Sequence, residues 1–261
     1  ILINNYLQKL LSALSTIIRL FIPDLSVIWI HSNYYYMANQ TITWNKINNA
    51  LFTLLFIIFW FRPGVFPIII AAGLLSFIVY WLLNVTYLKK LKPFAGYANL
   101  ITLFRLLIVI FIGFFHNQLT YNFIFSLALF SVILDGVDGY IARKFNQTTT
   151  FGEIFDKETD AFYVLIITSI LYIQGLFGFW LIIIGYFRYF YGIIVLLKKG
   201  LTRDSIRARF QTIMAGIFFV AILSPFILPS AIHYPVVITA GSLIVLSFIN
   251  SFVMIFLSHE H

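Results

Sequence analysis

Leu134 to Asp160 reads L-D-G-V-D-G-Y-I-A-R-K-F-N-Q-T-T-T-F-G-E-I-F-D-K-E-T-D. Asp135 and Asp138 are three apart and Ala142 follows four later, so all three share one face of a helix. Gly152, Asp156 and Asp160 are spaced by four and form a stripe on the next helix. The connection between the two helices is short and polar, which makes them antiparallel neighbours. Both carboxylate pairs then lie at the same end of adjacent helices and can converge.

The sequence on either side says what kind of helices these are. Of 261 residues, 61% are hydrophobic, 19% aromatic and only 10% charged. A soluble domain carries roughly 25% charged residues, so this chain lacks the polar surface to cover a water-soluble globule. The chain has no cysteine, which excludes a disulfide scaffold, thiolate metal sites and cysteine nucleophiles. Its apolar runs approach the length of roughly 20 residues that a membrane-spanning helix needs, and they do not alternate as barrel strands would. They fall at about 47–61, 65–84, 99–115, 120–144, 152–173, 177–199, 206–228 and 235–257.

Upstream, Leu7, Leu10, Leu11, Leu14, Ile17, Ile18 and Phe21 recur at helical spacing, opposite Lys9, Ser12 and Arg19. Residues 6–22 therefore read as an amphipathic interfacial helix and not as a signal peptide. The first residue is Ile, so the true start is expected upstream. Residues 23–45 are polar and aromatic and read as a loop or surface segment. The lysine-rich stretch 85–98 is the one plausible boundary. The expected fold is an all-α polytopic membrane protein: an N-terminal part, 1–94, with the interfacial helix and about two additional spans, then a six-helix transmembrane catalytic core, 95–261.

Lys89, Lys90, Lys92, Arg143, Lys144, Lys198, Lys199, Arg203, Arg207 and Arg209 lie in alternate connections, and the opposite turns carry no Lys or Arg. The positive-inside rule places the basic side, and both termini, in the cytoplasm. The net charge of +8 is then explained by topology and anionic lipid headgroups, and nucleic acid is not an expected partner.

Six of the nine acidic residues fall between positions 135 and 160, beside spans where carboxylates are costly. Four converging aspartates cannot all remain ionised without a cation. Oxygen-only ligation suits Mg²⁺ or Mn²⁺, which commonly complete their shell with substrate phosphates, and four carboxylates suffice for two ions. A solvated loop would account for Glu153 and Glu158, which lie off the Asp156 stripe, but not for Asp135, Asp138, Asp156 and Asp160.

The pattern D-x-x-D-G-x-x-A-R, eight residues, then G-x-x-x-D-x-x-x-D resembles the signature of the CDP-alcohol phosphotransferase family, with Asp135, Asp138, Gly139, Ala142, Arg143, Gly152, Asp156 and Asp160 at its fixed positions. Asn99, Thr102 and Arg105 resemble the family's upstream N-x-x-T-x-x-R element, with Ala98 where a proline is usual. The resemblance spans about 95–257. It implies an enzyme that displaces CMP from a CDP-linked donor by an alcohol hydroxyl, and it implies a homodimer. It makes Asp135, Asp138 and Asp156 metal ligands, and Asp160 the base with a share in the metal. Asn99, Thr102, Gly139, Ala142, Arg143 and Gly152 would form the nucleotide site. Arg105, Arg188, Arg203, Arg207 and Arg209 become candidates for an acceptor or lipid phosphate; Arg188 could instead pair with a buried carboxylate.

CDP-diacylglycerol with a small soluble alcohol is the first expectation for the substrates, and a CDP-linked headgroup with a lipid alcohol is the alternative. An aspartate-rich prenyltransferase would hold its two acidic motifs far apart in sequence, whereas Asp135 and Asp156 are close and Gly139, Ala142 and Arg143 fit the first family. A carboxylate-based transporter would place its acids near mid-membrane in matching halves, and these aspartates cluster at one end.

Overall fold

The computed structural model describes residues 33–145, 147–197 and 205–257, with side chains over 40–145, 147–194 and 213–250. The expected interfacial helix at 6–22 lies outside the described residues. The chain divides into two compact units, Ile1–Gln40 and Thr41–His261, and the account below concerns the second.

Helices follow one another from Asn33–Phe61 (α1) through Phe66–Leu83 (α2), the short Val85–Leu88 (α3), Tyr97–Phe115 (α4), Tyr121–Lys144 (α5) and Thr150–Ile173 (α6) to Trp180–Leu197 (α7), Ser205–Ala221 (α8) and Ser230–Leu257 (α9). No strand occurs among the described residues. The all-α polytopic membrane fold is borne out. Five described helices are long and apolar enough to cross a membrane: Gln40–Phe61, Pro63–Leu83, Tyr97–Phe115, Tyr121–Lys144 and Ser230–Asn250. Shorter apolar stretches lie in α7 and α8. Helix α6 carries Glu153, Asp156, Lys157, Glu158 and Asp160 in its first half.

Two features decide where α6 sits. Its apolar second half is buried on all sides, every residue from Ala161 to Leu171 included. Helices α4 and α7 pack along it, and α2 approaches closely enough that a side-chain carbon on Gly73 would lie 2.4 Å from the Phe162 ring. By contrast α5 turns Phe123, Phe130, Ile133, Val137 and Tyr140 outward. An apolar exterior on this scale suits lipid and not water. The helix whose start bears the carboxylates is therefore the central one, and its neighbours shield it from lipid.

Local chemistry sets where α5 and α6 begin. The hydroxyls of Thr120 and Thr149 cap them, accepting from the Phe123 N–H at 3.4 Å and the Gly152 N–H at 3.0 Å. A threonine at this position satisfies one of the first-turn N–H groups that has no partner within the helix.

One expectation is corrected here. The segment 23–45, read as a loop or surface, is helical from Asn33 onward. Its polar residues have tertiary partners: Trp44 donates from Nε1 to the Ser76 carbonyl at 3.0 Å, and its ring stacks on Tyr80. Polarity alone marks a loop only when no partner helix satisfies it.

Candidate active site

The start of α4, the end of α5 and the start of α6 meet at one end of the bundle. The backbone enters α4 through Ala95 and Gly96, both with positive φ, at 66° and 80°. Gln147, in the α5–α6 connection, holds this entry. Its side-chain oxygen accepts from the Tyr97 N–H at 2.9 Å and its amide donates to the Lys92 carbonyl at 3.2 Å. No motif pointed to Gln147, because its role depends on which loops become neighbours.

Arg105 stands at the centre of the four aspartates and is only 2% exposed. Its Nη1 lies 2.8 Å from an oxygen of each of Asp135, Asp138 and Asp156, and its Nη2 lies 2.5 Å from Asp160 Oδ1. The Thr102 hydroxyl donates to Asp138 Oδ2 at 3.0 Å, sharing its proton with the Ala98 carbonyl at 3.1 Å. The two carboxylate stripes thus converge, with a guanidinium from α4 between them. One positive charge balances four carboxylates only in part, so the site keeps an excess of negative charge.

That geometry fits a hard divalent cation. Asp135, Asp156 and Asp160 each bring a carboxylate oxygen to within 4.8 Å of the others. Ligands of this kind are the ones Mg²⁺ and Mn²⁺ take, and the guanidinium already marks where a cation is attracted.

The glycines differ in what surrounds them. A side-chain carbon on Gly152 would lie 2.6 Å from Asn99 Oδ1, so α4 and α6 touch at this point. Asn99 is itself anchored, donating from Nδ2 to the Ala95 carbonyl at 2.8 Å. A carbon on Gly139 would meet only the Arg143 guanidinium, at 3.6 Å. Arg143 is exposed and Ala142 half-buried beside it at the end of α5.

Of the remaining basic candidates only Arg188 has a described side chain. Arg188 of α7 is paired, its Nη2 2.9 Å from Glu158 Oε1. Arg203 lies outside the described residues, and Arg207 and Arg209 lie beyond the described side chains. Glu153 and Glu158 part company. Glu153 is 62% exposed and pairs with Lys157, as a solvated residue would. Glu158 is wholly buried, so the solvated-loop reading fails for it. Its signal in the sequence is weak: an acid two residues from Asp156 and from Asp160 must face away from both.

Comparison with known proteins bears on the same region. The chain is 38% identical over 86 residues to a CDP-diacylglycerol–glycerol-3-phosphate 3-phosphatidyltransferase of Wigglesworthia glossinidia brevipalpis, covering 32% of this chain and 47% of that one. It is 35% identical over 74 residues to CDP-diacylglycerol–inositol 3-phosphatidyltransferase 1 of Arabidopsis thaliana, covering 28% and 31%. A Rickettsia typhi protein named as the glycerol-3-phosphate enzyme is 31% identical over 81 residues, covering 31% and 46%. The chain thus spans less than half the length of these curated relatives. No solved structure matches it. The family model described as CDP-alcohol phosphatidyltransferase matches residues 96–257, which take in all six helices from α4 to α9 and every aspartate of the cluster. The resemblance read from the aspartate signature is therefore borne out, and the chain belongs to the CDP-alcohol phosphatidyltransferase family.

Proposed function

We propose that the chain is a membrane enzyme of phospholipid synthesis that displaces CMP from a CDP-linked donor with the hydroxyl of an alcohol. CDP-diacylglycerol is the donor favoured by the names of its relatives, and glycerol 3-phosphate and inositol are the acceptors those names carry. The observation that carries the reading is the convergence of Asp135, Asp138, Asp156 and Asp160 on one point at the end of the bundle.

Asp135, Asp138 and Asp156, with a share from Asp160, would hold Mg²⁺ or Mn²⁺, two ions in the full site. Bound there, the metal supplies charge neutralisation on the diphosphate. Asp160 accepts the proton of the attacking hydroxyl. The acceptor oxygen bonds to the phosphorus that carries the lipid alcohol. The bond from that phosphorus to the bridging oxygen breaks, and the electron pair leaves on that oxygen as CMP. Asn99, Thr102, Gly139, Ala142, Arg143 and Gly152 line the nucleotide side, where Gly139 has only the Arg143 guanidinium beside it and Arg143 offers a planar fork for phosphate. Arg203, Arg207 and Arg209 are the acceptor-side candidates. The basic connections support a cytoplasmic location for this end and for both termini. The six-helix core, 95–261, carries the chemistry, with 1–94 as an addition, and the enzyme works as a homodimer.

The test is CMP release and product lipid mass from purified protein in lipid nanodiscs, with CDP-diacylglycerol, Mg²⁺ or Mn²⁺, and glycerol 3-phosphate, inositol or serine. Metal-dependent CMP release that Asp156→Asn strongly lowers is the expected result. CMP release with none of these alcohols, and none from CDP-linked headgroups with a lipid alcohol, would refute the proposal.

A further inference from the structure

Glu158 is 0% exposed and lies between Asp156 and Asp160 on α6, rotated roughly 200° from each around the helix axis. A carboxylate in an apolar bundle is costly unless both of its oxygens are satisfied. Here both are. Asn45 donates from Nδ2 to Oε1 at 3.0 Å, Arg188 from Nη2 to Oε1 at 2.9 Å, and Asn48 from Nδ2 to Oε2 at 2.9 Å. The donors come from α1 on one side and α7 on the other.

Those partners are themselves held. Asn48 Oδ1 accepts from the Ser76 hydroxyl of α2 at 2.7 Å, and Asn45 Oδ1 accepts from Asn49 Nδ2 at 2.8 Å. A side-chain carbon on Gly192 of α7 would lie 2.4 Å from the Asn49 amide, so α1 and α7 are in close contact beside the network. A continuous polar chain therefore runs from α2 through α1 and α6 to α7, among residues whose neighbours are apolar. Apolar packing tolerates a helix that slides or rotates a little, whereas a buried charge with three directional donors fits one placement only.

We propose that Glu158 is a positioning residue: Asn45, Asn48 and Arg188 hold the back of α6 through it, and this sets where Asp156 and Asp160 stand against Asp135 and Asp138. The role rests on the reading that these aspartates bind metal. Moving α6 by one residue would strand the Glu158 charge and carry Asp156 and Asp160 away from the α5 pair. The N-terminal helices thereby contribute to the site without touching it.

The chain has no cysteine, so two labels can be introduced cleanly. Nitroxides at Tyr140→Cys on α5 and Glu153→Cys on α6, both exposed positions, report the spacing of the two helices by electron paramagnetic resonance. Mn²⁺ affinity is read by the same spectroscopy on the unlabelled protein. Asn45→Ala/Asn48→Ala should shift or broaden the nitroxide distance and weaken Mn²⁺ binding about tenfold, as loss of outer-shell support commonly does. Thr41→Val removes a buried hydrogen bond of α1, from the Thr41 hydroxyl to Asn84 Oδ1 at 3.5 Å, without touching Glu158, its donors or Ser76, and should change neither readout. If the double variant aggregates, Glu158→Gln gives the same test, because it keeps the shape and drops the charge. An unchanged distance together with Mn²⁺ affinity within about twofold of the parent, or an equal effect from Thr41→Val, would overturn the proposal. A parent chain with no measurable Mn²⁺ affinity would refute the metal reading instead, and the nitroxide distance would still decide whether Glu158 holds α6.

Discussion

Arg105 Nη2 lies 2.5 Å from Asp160 Oδ1, and Nη1 of the same guanidinium lies against the other three aspartates. An arginine thus stands where the proposed chemistry asks for a metal. Its charge lowers the repulsion among the carboxylates and lets them stay close together. Arg105→Met keeps much of the volume and removes that charge. Leaving the buried Asp138 and three half-buried aspartates without their partner should cost about 3 kcal/mol of stability in EDTA. Saturating Mn²⁺ should restore part of that loss, because a ligand of the folded state stabilises it. Thermal unfolding with and without metal checks this, and an equal deficit in both conditions would count against it.

Asp156 and Asp160 should fail in different ways. Asp160→Asn removes the proton acceptor and should lower turnover at least about 100-fold, with little change in the donor KM. Asp156→Asn should also raise the Mn²⁺ concentration needed for half-maximal rate. Full turnover by Asp160→Asn would exclude it as the base.

The two glycines of the signature separate packing from binding. Gly152→Ala brings a methyl carbon to 2.6 Å from Asn99 Oδ1, so the anchored Asn99 side chain or the two helices must shift. A destabilisation of about 1–3 kcal/mol is expected. Gly139→Ala meets only the Arg143 guanidinium, at 3.6 Å, and should leave stability within about 0.5 kcal/mol. Its effect should fall on the donor KM, because the nucleotide is proposed to lie against Gly139 and Arg143. A Gly139→Ala enzyme with the parent's KM would move the nucleotide site elsewhere.

Tyr80 ties α2 to the first turn of α6. Its hydroxyl donates to the Phe151 carbonyl at 3.0 Å and its ring stacks on Phe151 at 4.6 Å between centroids. Tyr80→Phe keeps the stack and loses the hydrogen bond, so unfolding should become easier by about 1 kcal/mol. Lys157→Ala, which breaks an exposed pair with Glu153, should change stability by no more than about 0.5 kcal/mol. Similar losses in the two variants would contradict the assignment of Tyr80 to the buried interface.

The sequence by itself determined the all-α membrane fold, the family and the pairing of two aspartate stripes at one end of neighbouring helices. Each of these depends on composition or on spacing along a single helix, where 3.6 residues per turn translate position into direction. Only the tertiary structure decided that Arg105 points into the aspartates, that Glu158 is a buried ion-pair partner of Arg188, and that polar residues of α1 belong to a helix. Those outcomes depend on which faces of distant helices meet. Arg105 and Asp160 are 55 positions apart, and Asn45 and Glu158 113 apart. Spacing within one helix tells which way a side chain points, whereas the packing of several helices sets what it meets.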